Sequence, residues 1–307
     1  MADFDVIVIG AGITGLTAAK AAVQSGLRTA NIEALMFGGL VVNINELDGE
    51  TTGSGTDFAS NLMMEISDLG VENLSETVST LAREGDRLKI TTDAGSHQAR
   101  AVIIASGAKL KRLGIPGEAE FEYKGVSQCA DCDGPMYKDE EVVVVGGGDS
   151  ALQEALVLAE YCKRVHLVHR GAKFSAQQHL VDAIKQHENI RPVWNSVADA
   201  ILGGQMVEKV RVRNTADNTT VEIPCTGFFA YIGLQPSIEF APAELARDAD
   251  GCIVTDANLN TKMPGVFAAG AVRAGYGGLL KHAMADGNTA AKSAKAGIGG
   301  YIALRLY

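Results

Sequence analysis

The chain begins with a short run of apolar, mostly β-branched residues, a glycine-rich turn and an alanine-rich segment. The apolar run covers Phe4 to Ile9, interrupted by Asp5, and a second predicted strand, Leu27 to Ile32, follows the alanine-rich segment from Leu16 to Gln24. A continuous apolar run of this length, bounded by turn residues, is typical of a buried strand in a parallel sheet. The pattern therefore predicts a strand, a helix and a second strand at the start of the chain.

The turn between the first strand and the helix carries three glycines in the spacing G-x-G-x-x-G. Gly10 permits the tight turn, Gly12 lets the backbone approach a pyrophosphate, and Gly15 allows the helix to pack against the strand. The diphosphate would bind the free N–H groups at the positive end of the helix. Glu33, at the end of the second strand, is predicted to accept the ribose hydroxyls. In this context we favour a dinucleotide site over a glycine-rich turn that binds nothing.

The same pattern recurs in the middle of the chain. A predicted strand from Glu141 to Val145 precedes a G-x-G-x-x-A loop, and an amphipathic helix from Leu152 to Tyr161 leads to a strand from Arg164 to Val168. This repeat of strand, loop, helix and strand predicts a second dinucleotide site. Its predicted cofactor-binding residues are Gly146, Gly148, Asp149, Ser150 and Ala151.

The second unit ends its last strand with His169 and Arg170, where the first unit has a carboxylate. A carboxylate there would repel a 2′-phosphate and an arginine would attract one, so this site favours NADP over NAD. The alternative is that Arg170 is a solvated strand end. Two dinucleotide sites in one chain imply an electron relay, and the usual pair is FAD with a nicotinamide nucleotide. We therefore expect FAD at the first loop and NADPH, or else NADH, at the second.

Between the two units lie two cysteines in the spacing C-x-x-C, Cys129 and Cys132, followed directly by Asp133. Two cysteines at this spacing on the first turn of a helix can close a disulfide. Asp133 places an acid–base group beside a thiol that gains and loses a proton. The alternatives are half of a zinc site and a pair of reduced core thiols. No second cysteine or histidine pair at ligand spacing is evident, so we predict a redox dithiol and no metal site.

Composition excludes several other classes of protein. The 307 residues suggest about two domains, and 47% hydrophobic residues suffice for a large core. The formal charge of −10 argues against nucleic acid as a partner, because nucleic-acid binders carry a basic surface. No apolar run approaches the roughly 20 residues that span a bilayer, and the first residues carry acids where a signal peptide carries bases. We therefore expect a cytoplasmic protein without membrane contact, in which thiols stay reduced.

The order of these motifs along the whole chain resembles that of the low-molecular-weight thioredoxin reductases of bacteria and plants. Further stretches that match this family are Ile104–Ala108, Ile115–Glu118, Phe228–Pro236 and Gly265–Gly270. The resemblance implies an α/β fold of two Rossmann-like, three-layer domains, with the nicotinamide domain inserted in a discontinuous FAD domain. The FAD-binding domain would cover residues 1–113 and 237–307. The NAD(P)-binding domain, which carries the C-x-x-C pair, would cover residues 114–236.

The resemblance also implies roles for individual residues. Cys132 would lie against the flavin, Cys129 would exchange with the substrate disulfide, and Asp133 would act as the acid–base group. The further flavin contacts that it implies are Gly38, Gly39, Gly107, Gly270 and Ala271. Such an enzyme is FAD-dependent, passes electrons from NAD(P)H to the dithiol, and reduces thioredoxin or a similar protein disulfide. The resemblance also suggests a homodimer.

The chain departs from the family pattern near both cofactor sites. Ala271 stands where the family has an aspartate that binds the flavin, and a single arginine, Arg170, follows His169 where the family has two. These departures leave open a donor other than NADPH, such as NADH or a protein, and a redox-sensing role. A flavin dithiol oxidase that passes electrons to O₂ is a further alternative. Asp133 argues against it, because those relatives carry histidine after the second cysteine.

Overall fold

The structure is a computed structural model that describes residues 2–44, 47 and 53–304. The chain forms two compact units, the first made of Met1–Lys109 with Gln235–Tyr307 and the second of Leu110–Leu234. The second unit is therefore inserted in the sequence of the first. The predicted domain ends at residues 1 and 307 lie outside the described residues, and the assignment of one cofactor to each unit stays a prediction.

The described residues form both strands and helices. The strands are β1 (Ala2–Ile9), β2 (Thr29–Ile32), β3 (Glu72–Leu74), β4 (Val78–Glu84), β5 (Arg87–Thr92), β6 (Ser96–Ile104), β7 (Ala108–Leu110), β8 (Val126–Ser127), β9 (Glu141–Gly146), β10 (Arg164–Val168), β11 (Ile190–Val193), β12 (Ser196–Gly203), β13 (Val207–Asn214), β14 (Thr220–Pro224), β15 (Gly227–Tyr231), β16 (Leu234–Pro236) and β17 (Val266–Ala268). The α-helices are α1 (Ile13–Gln24), α2 (Gly55–Asp68), α3 (Ala130–Asp133), α4 (Asp149–Tyr161), α5 (Gln178–Gln186) and α6 (Leu280–Leu304).

The first unit is built on one sheet in the order β3-β2-β1-β6-β5-β4, with β17 beside β6. β1 pairs in parallel with β2 and β6, while β4 and β5 add an antiparallel hairpin at the edge. Because β1 is buried on both faces, its alternate residues enter two cores. Val8 packs with Leu16 of α1 on one face, and Ile7 packs with Ile253 on the other. The loop that follows β1 therefore lies at the carboxyl end of the central strands, where open α/β sheets bind ligands.

The second unit has three layers. A parallel sheet in the order β11-β10-β9-β15-β8 lies in the middle. One face packs on α4 and α5 through residues such as Leu152 and Ile184, and the other packs on the antiparallel β12-β13-β14 sheet through Val143 and Val210. The predicted α/β class, with two Rossmann-like units of which one is inserted in the other, is confirmed. Within the described part of the chain, no helix combines the length and the apolar character needed to cross a bilayer.

Candidate active site and nucleotide-binding loops

The first glycine loop is shaped by contacts that exclude side chains at two of its three glycines. Helix α1 begins at Ile13, directly after Gly12, and Gly10 has a φ of 107°. A Cβ at Gly15 would overlap the carbonyl oxygen of Gly10, so the helix and the turn need glycine for their close approach. A Cβ at Gly12 would instead find no atom nearer than 3.9 Å. The loop is thus closely packed at Gly10 and Gly15 and leaves space at Gly12, as a diphosphate site requires.

Further glycines predicted to contact the flavin converge on this loop. The N–H of Gly38 donates to the carbonyl of Ala11 at 2.7 Å, and a Cβ at Gly39 would lie 3.3 Å from the Cα of Gly12. A Cβ at Gly270 would come within 2.5 Å of Thr14 Oγ1 in the first turn of α1. The fold therefore brings together glycines that are far apart in the sequence.

Glu33 lies beside the same loop, at the end of β2. Its Oε2 accepts the N–H of Ala11 at 2.9 Å, and its Oε1 accepts the N–H of Leu35 at 3.1 Å. Each carboxylate oxygen has a second lone pair, so Glu33 can still accept ribose hydroxyls. Gly107 follows β6 with a φ of 67°, and no atom lies within 4 Å of where its Cβ would be.

Ala271 lies in a short 3-10 helix, Gly270–Val272, and its methyl group offers no acceptor. The nearby acid is Asp286 of α6, which sequence reasoning missed. Its Oδ2 accepts the N–H of Gly270 at 2.9 Å and Nε of Arg273 at 2.6 Å, while its Oδ1 accepts Nη2 of Arg273 at 2.9 Å. Asp286 therefore holds the turn that carries Ala271 by binding protein donors.

An unsatisfied nitrogen lies in the first turn of α6. Nδ1 of His282 is buried and has no hydrogen-bond partner among the described residues. A buried polar atom without a partner is costly unless a ligand or water supplies one. Together with the open side of Gly12, this nitrogen makes the first unit fit a dinucleotide that carries a polar ring system, such as FAD.

The second glycine loop repeats the packing of the first. Gly146 has a φ of 153°, and a Cβ there would lie 2.5 Å from both the Ala151 methyl group and the carbonyl oxygen of Tyr231. Gly148 directly precedes α4, and the nearest atom to its Cβ position, Ser175 Oγ, is 4.0 Å away. Ser150 is exposed in the first turn of α4. The loop is again closely packed at Gly146 and leaves space at Gly148.

The predicted residues at the end of β10 differ in exposure. The ring of His169 packs directly on Gly147 and lies 6.0 Å from that of Trp194, whereas the side chain of Arg170 is exposed. Asp149 accepts the backbone N–H and the side-chain amide of Gln177, each at 2.7 Å. The hydrogen bond from the Gln177 side chain, and to a smaller extent the one from its backbone N–H, lowers the pKa of Asp149. Asp149 therefore positions the loop before α5, and Arg170 is the predicted residue free to meet a phosphate.

Cys129 and Cys132 are joined as a disulfide at the short helix α3, with their Cα atoms 5.3 Å apart. The N–H of Cys132 donates to Sγ of Cys129 at 3.1 Å. Cys132 is exposed and Cys129 is half-buried. In the part of the chain that the structure describes, no group of three or more His, Cys, Asp or Glu is placed to hold a metal ion. The arrangement suits a reversible disulfide.

Asp133 is held by Ser127, a buried residue at the end of β8 that sequence reasoning missed. The Ser127 hydroxyl donates to Oδ2 of Asp133 at 2.5 Å and accepts the N–H of Cys129 at 3.2 Å. One hydroxyl therefore links the backbone of the first cysteine to the carboxylate after the second. No motif announces this role, since serine before a loop is common.

Comparisons with known proteins agree with this geometry. The profile of the family described as "Pyridine nucleotide-disulphide oxidoreductase" matches residues 4–287. A thioredoxin reductase of Treponema pallidum is 37% identical over 296 residues, which cover 95% of this chain and 96% of that protein. The crystal structure of Lactococcus lactis thioredoxin reductase is 35% identical, has a TM-score of 0.90, and is matched over 97% of this chain and 99% of that chain.

The chain belongs to the pyridine nucleotide-disulphide oxidoreductase family. The predicted resemblance to the low-molecular-weight thioredoxin reductases is confirmed, and so is the prediction of an enzyme. The crystal structure of T. acidophilum thioredoxin reductase is 30% identical, has a TM-score of 0.87, and is matched over 96% of this chain and 99% of that chain. Membership implies a flavoprotein that uses a pyridine nucleotide.

A cavity of about 440 Å³ opens in the second unit of this oxidoreductase, beside the disulfide. Cys129 and Asp133 line it, together with three large side chains that are strongly exposed. These are Tyr123, Met136 and Met206, which are 94%, 74% and 59% exposed. Large apolar side chains clustered at a surface mark a site that binds another molecule.

The other thiols of the second unit are poor nucleophiles. Burial raises the pKa of Cys162 to about 11 and that of Cys225 to about 12, because a buried thiolate is poorly solvated. Both are free and buried. Since the thiolate is the reacting form, Cys162 and Cys225 do not rival Cys129 and Cys132, which stay the predicted redox pair.

Proposed function

We propose that this oxidoreductase passes electrons from NAD(P)H through FAD to the Cys129–Cys132 disulfide and on to thioredoxin or a similar protein disulfide. The observation that carries the proposal is the disulfide of α3 with Asp133 at its end, positioned in a unit that also holds an open dinucleotide loop. The near-complete alignment with the thioredoxin reductases of Treponema pallidum and Listeria innocua supports thioredoxin as the partner.

FAD, when bound, supplies the two-electron link between the reduced nicotinamide and the disulfide. The residues proposed to hold it are Gly10, Gly12, Gly15, Glu33, Gly38, Gly39, Gly107, Gly270 and Ala271. The residues proposed to hold the nicotinamide nucleotide are Gly146, Gly148, Asp149, Ser150, Ala151, His169 and Arg170. Arg170 supports NADPH over NADH, because an exposed guanidinium suits a 2′-phosphate.

The reduced pair acts by thiol–disulfide exchange. The thiolate of Cys129 attacks one sulfur of the partner disulfide, and the other partner sulfur leaves and takes up a proton. Cys132 then attacks Sγ of Cys129, which re-forms their disulfide and releases the second partner thiol. The partner gains two electrons and two protons, and the dithiol loses them. Oδ2 of Asp133 is held by Ser127, so Oδ1 is the oxygen proposed to exchange a proton with Cys132.

The partner is proposed to dock on the exposed side chains beside Cys129. Tyr123, Met136 and Met206 surround the cavity that Cys129 and Asp133 line. Apolar contacts of this kind suit a protein surface better than they suit a small charged thiol. We further propose a cytoplasmic homodimer that binds neither nucleic acid nor membrane, in keeping with the acidic charge of −10.

An absorbance spectrum of the purified protein, followed by anaerobic titration with NADPH and with NADH, tests the proposal. Bound flavin should bleach with one of the nucleotides, and the protein should then reduce thioredoxin. Cys129→Ser should leave the bleaching intact and abolish thioredoxin reduction. A colourless protein that takes up no flavin would overturn the proposal, and unchanged turnover in Cys129→Ser would reject Cys129 as the attacking thiol.

A second candidate function is that of a reductase with an electron donor other than NADPH. The small number of basic residues directly after β10 favours it. Arg170 is followed by Gly171, and the next basic residue is the exposed Lys173. If neither nucleotide bleaches the flavin but reduced ferredoxin does, the donor is a protein. If a dithiol and O₂ turn over faster than NADPH and thioredoxin, the enzyme is instead a dithiol oxidase.

A further inference from the structure

A partly buried carboxylate of α4 accepts the N–H of the peptide group that directly follows Cys129. Oε2 of Glu154 accepts the N–H of Ala130 at 2.9 Å, and the same oxygen accepts the hydroxyl of Tyr231 at 2.9 Å. Tyr231 is buried at the end of β15, and Ala130 is completely buried. Glu154 therefore joins three elements, α4, α3 and β15, at the residue that directly follows Cys129.

This bond determines where the first cysteine sits. The N–H of Ala130 belongs to the peptide bond that leaves Cys129, and the N–H of Cys132 binds Sγ of Cys129 two residues later. One end of the turn is thus held from outside by Glu154, and the other end is held by the sulfur itself. Removing the external acceptor would leave a buried N–H without a partner, which is costly.

The charge of Glu154 lies in acidic surroundings. Asp131 and Asp133 stand on α3, which packs against α4, and Tyr231 reaches the carboxylate from β15. Burial chiefly raises the pKa of Glu154, the bonds from Ala130 and Tyr231 oppose this, and Asp131 adds to the rise. A negative charge beside a thiol disfavours the thiolate, which is the attacking form.

We propose that Glu154 is a positioning residue that holds the Cys129 turn and, through its negative charge, limits the fraction of Cys129 present as thiolate. The inference rests on the proposed redox role of the Cys129–Cys132 pair. Glutamine at position 154 separates the positioning effect from the charge effect, because it keeps the acceptor oxygen and removes the charge. Tyr231 supports the charged form by donating its hydroxyl.

The test compares Glu154→Gln with its parent in the full-length flavoprotein, with Cys132→Ser in both so that Cys129 is a free thiol. Alkylation of Cys129 by iodoacetamide at neutral pH is followed by mass spectrometry of its peptide. Glu154→Gln should react about threefold faster, since loss of one nearby charge increases the thiolate fraction while the sulfur becomes a weaker nucleophile. The matched control is Glu160→Gln, an exposed residue on the same helix, which should react like the parent.

Glu154→Leu, which removes the acceptor as well, should lower the melting temperature and the thioredoxin turnover, whereas Glu154→Gln should retain most of both. Equal alkylation rates in Glu154→Gln and its parent, with the fold intact by circular dichroism, would refute the effect of charge. Equal acceleration in Glu160→Gln would assign the effect to net charge and also refute it. The proposed function fails separately, if the parent enzyme does not reduce thioredoxin at all.

Discussion

The hydroxyl of Ser127 donates to Oδ2 of Asp133 across 2.5 Å, from the end of a strand to the end of the dithiol helix. Oγ of Ser127 also accepts the N–H of Cys129, so removing this hydroxyl disturbs both the Asp133 carboxylate and the backbone of Cys129. We expect Ser127→Ala to lower kcat for thioredoxin reduction roughly tenfold, or about 1.4 kcal/mol, which is close to the lower end of the contribution of one hydrogen bond to a charged group.

Ser127→Thr keeps the hydroxyl and provides the matched control. It should retain most of the activity, and both variants should be bleached by the nucleotide as the parent is. A Ser127→Ala enzyme with unchanged kcat, measured at saturating thioredoxin, would show that Asp133 needs no such orientation.

The first glycine loop predicts opposite outcomes for two similar substitutions. A Cβ at Gly15 would overlap the Gly10 carbonyl oxygen, whereas a Cβ at Gly12 meets no atom within 3.9 Å. Gly15→Ala should therefore lower the free energy of unfolding by about 1–3 kcal/mol. Gly12→Ala should fold normally and lose flavin affinity, because its methyl group occupies the approach side. Thermal melting and the flavin-to-protein absorbance ratio measure the two effects, and flavin retention in Gly12→Ala would contradict the proposed site.

The ion pair between Arg273 and Asp286 should carry much of the stability of its turn. Their side chains are 18% and 10% exposed, and Asp286 also accepts the N–H of Gly270. Asp286→Asn leaves the guanidinium of Arg273 uncompensated and should cost about 3–5 kcal/mol. Glu239→Gln, which breaks the exposed pair with Lys109, should cost less than about 1 kcal/mol. Urea denaturation followed by circular dichroism compares them, and equal losses would contradict this account.

The pair of Glu141 and His166 predicts an acid limit to the stability of the second unit. His166 Nε2 lies 2.9 Å from Oε2 of Glu141, and this bond, then Lys163, lowers the pKa of Glu141 from 4.5. The lowered pKa stabilises the fold above pH 4.5, and that stabilisation is lost as the pH falls through the folded-state pKa. Glu141→Gln should flatten this dependence.

The pH dependence of the second unit's stability can be measured by the fluorescence of Trp194, because the chain has one tryptophan and this residue lies in the second unit. The comparison is between the parent and Glu141→Gln across the same pH series, since other carboxylates titrate in both. Parallel curves for the two proteins would show that the pair contributes nothing to acid stability.

Arg170 should control the choice of nicotinamide. Arg170→Ser removes the exposed guanidinium at the end of β10, so KM for NADPH should rise about tenfold while KM for NADH stays the same. Lys173→Ser, which removes the next exposed cation, is the matched control and should have a smaller effect. Equal changes for both nucleotides would show that Arg170 does not meet the 2′-phosphate.

Much of this fold could be predicted from local sequence. The glycines at 10, 12 and 15 and at 146 and 148 follow from backbone geometry, because a tight turn and a diphosphate exclude side chains wherever they occur. The C-x-x-C pair is equally local, since its two cysteines lie on one turn of a helix. For α1 the start was predicted at Leu16 and lies at Ile13, because Gly12 immediately precedes the first helical turn.

The two glycine loops, the dithiol with its following acid, and their order could all be predicted from local sequence, because short-range backbone constraints leave a recognisable pattern. The tertiary structure alone decided which partners those groups have. Glu154 meets Tyr231 across 77 positions and Ala130 across 24, and Asp286 meets Gly270 across 16. Such contacts depend on how helices pack on sheets, and a glutamate or an aspartate within a helix carries no local sign of the buried N–H it will satisfy.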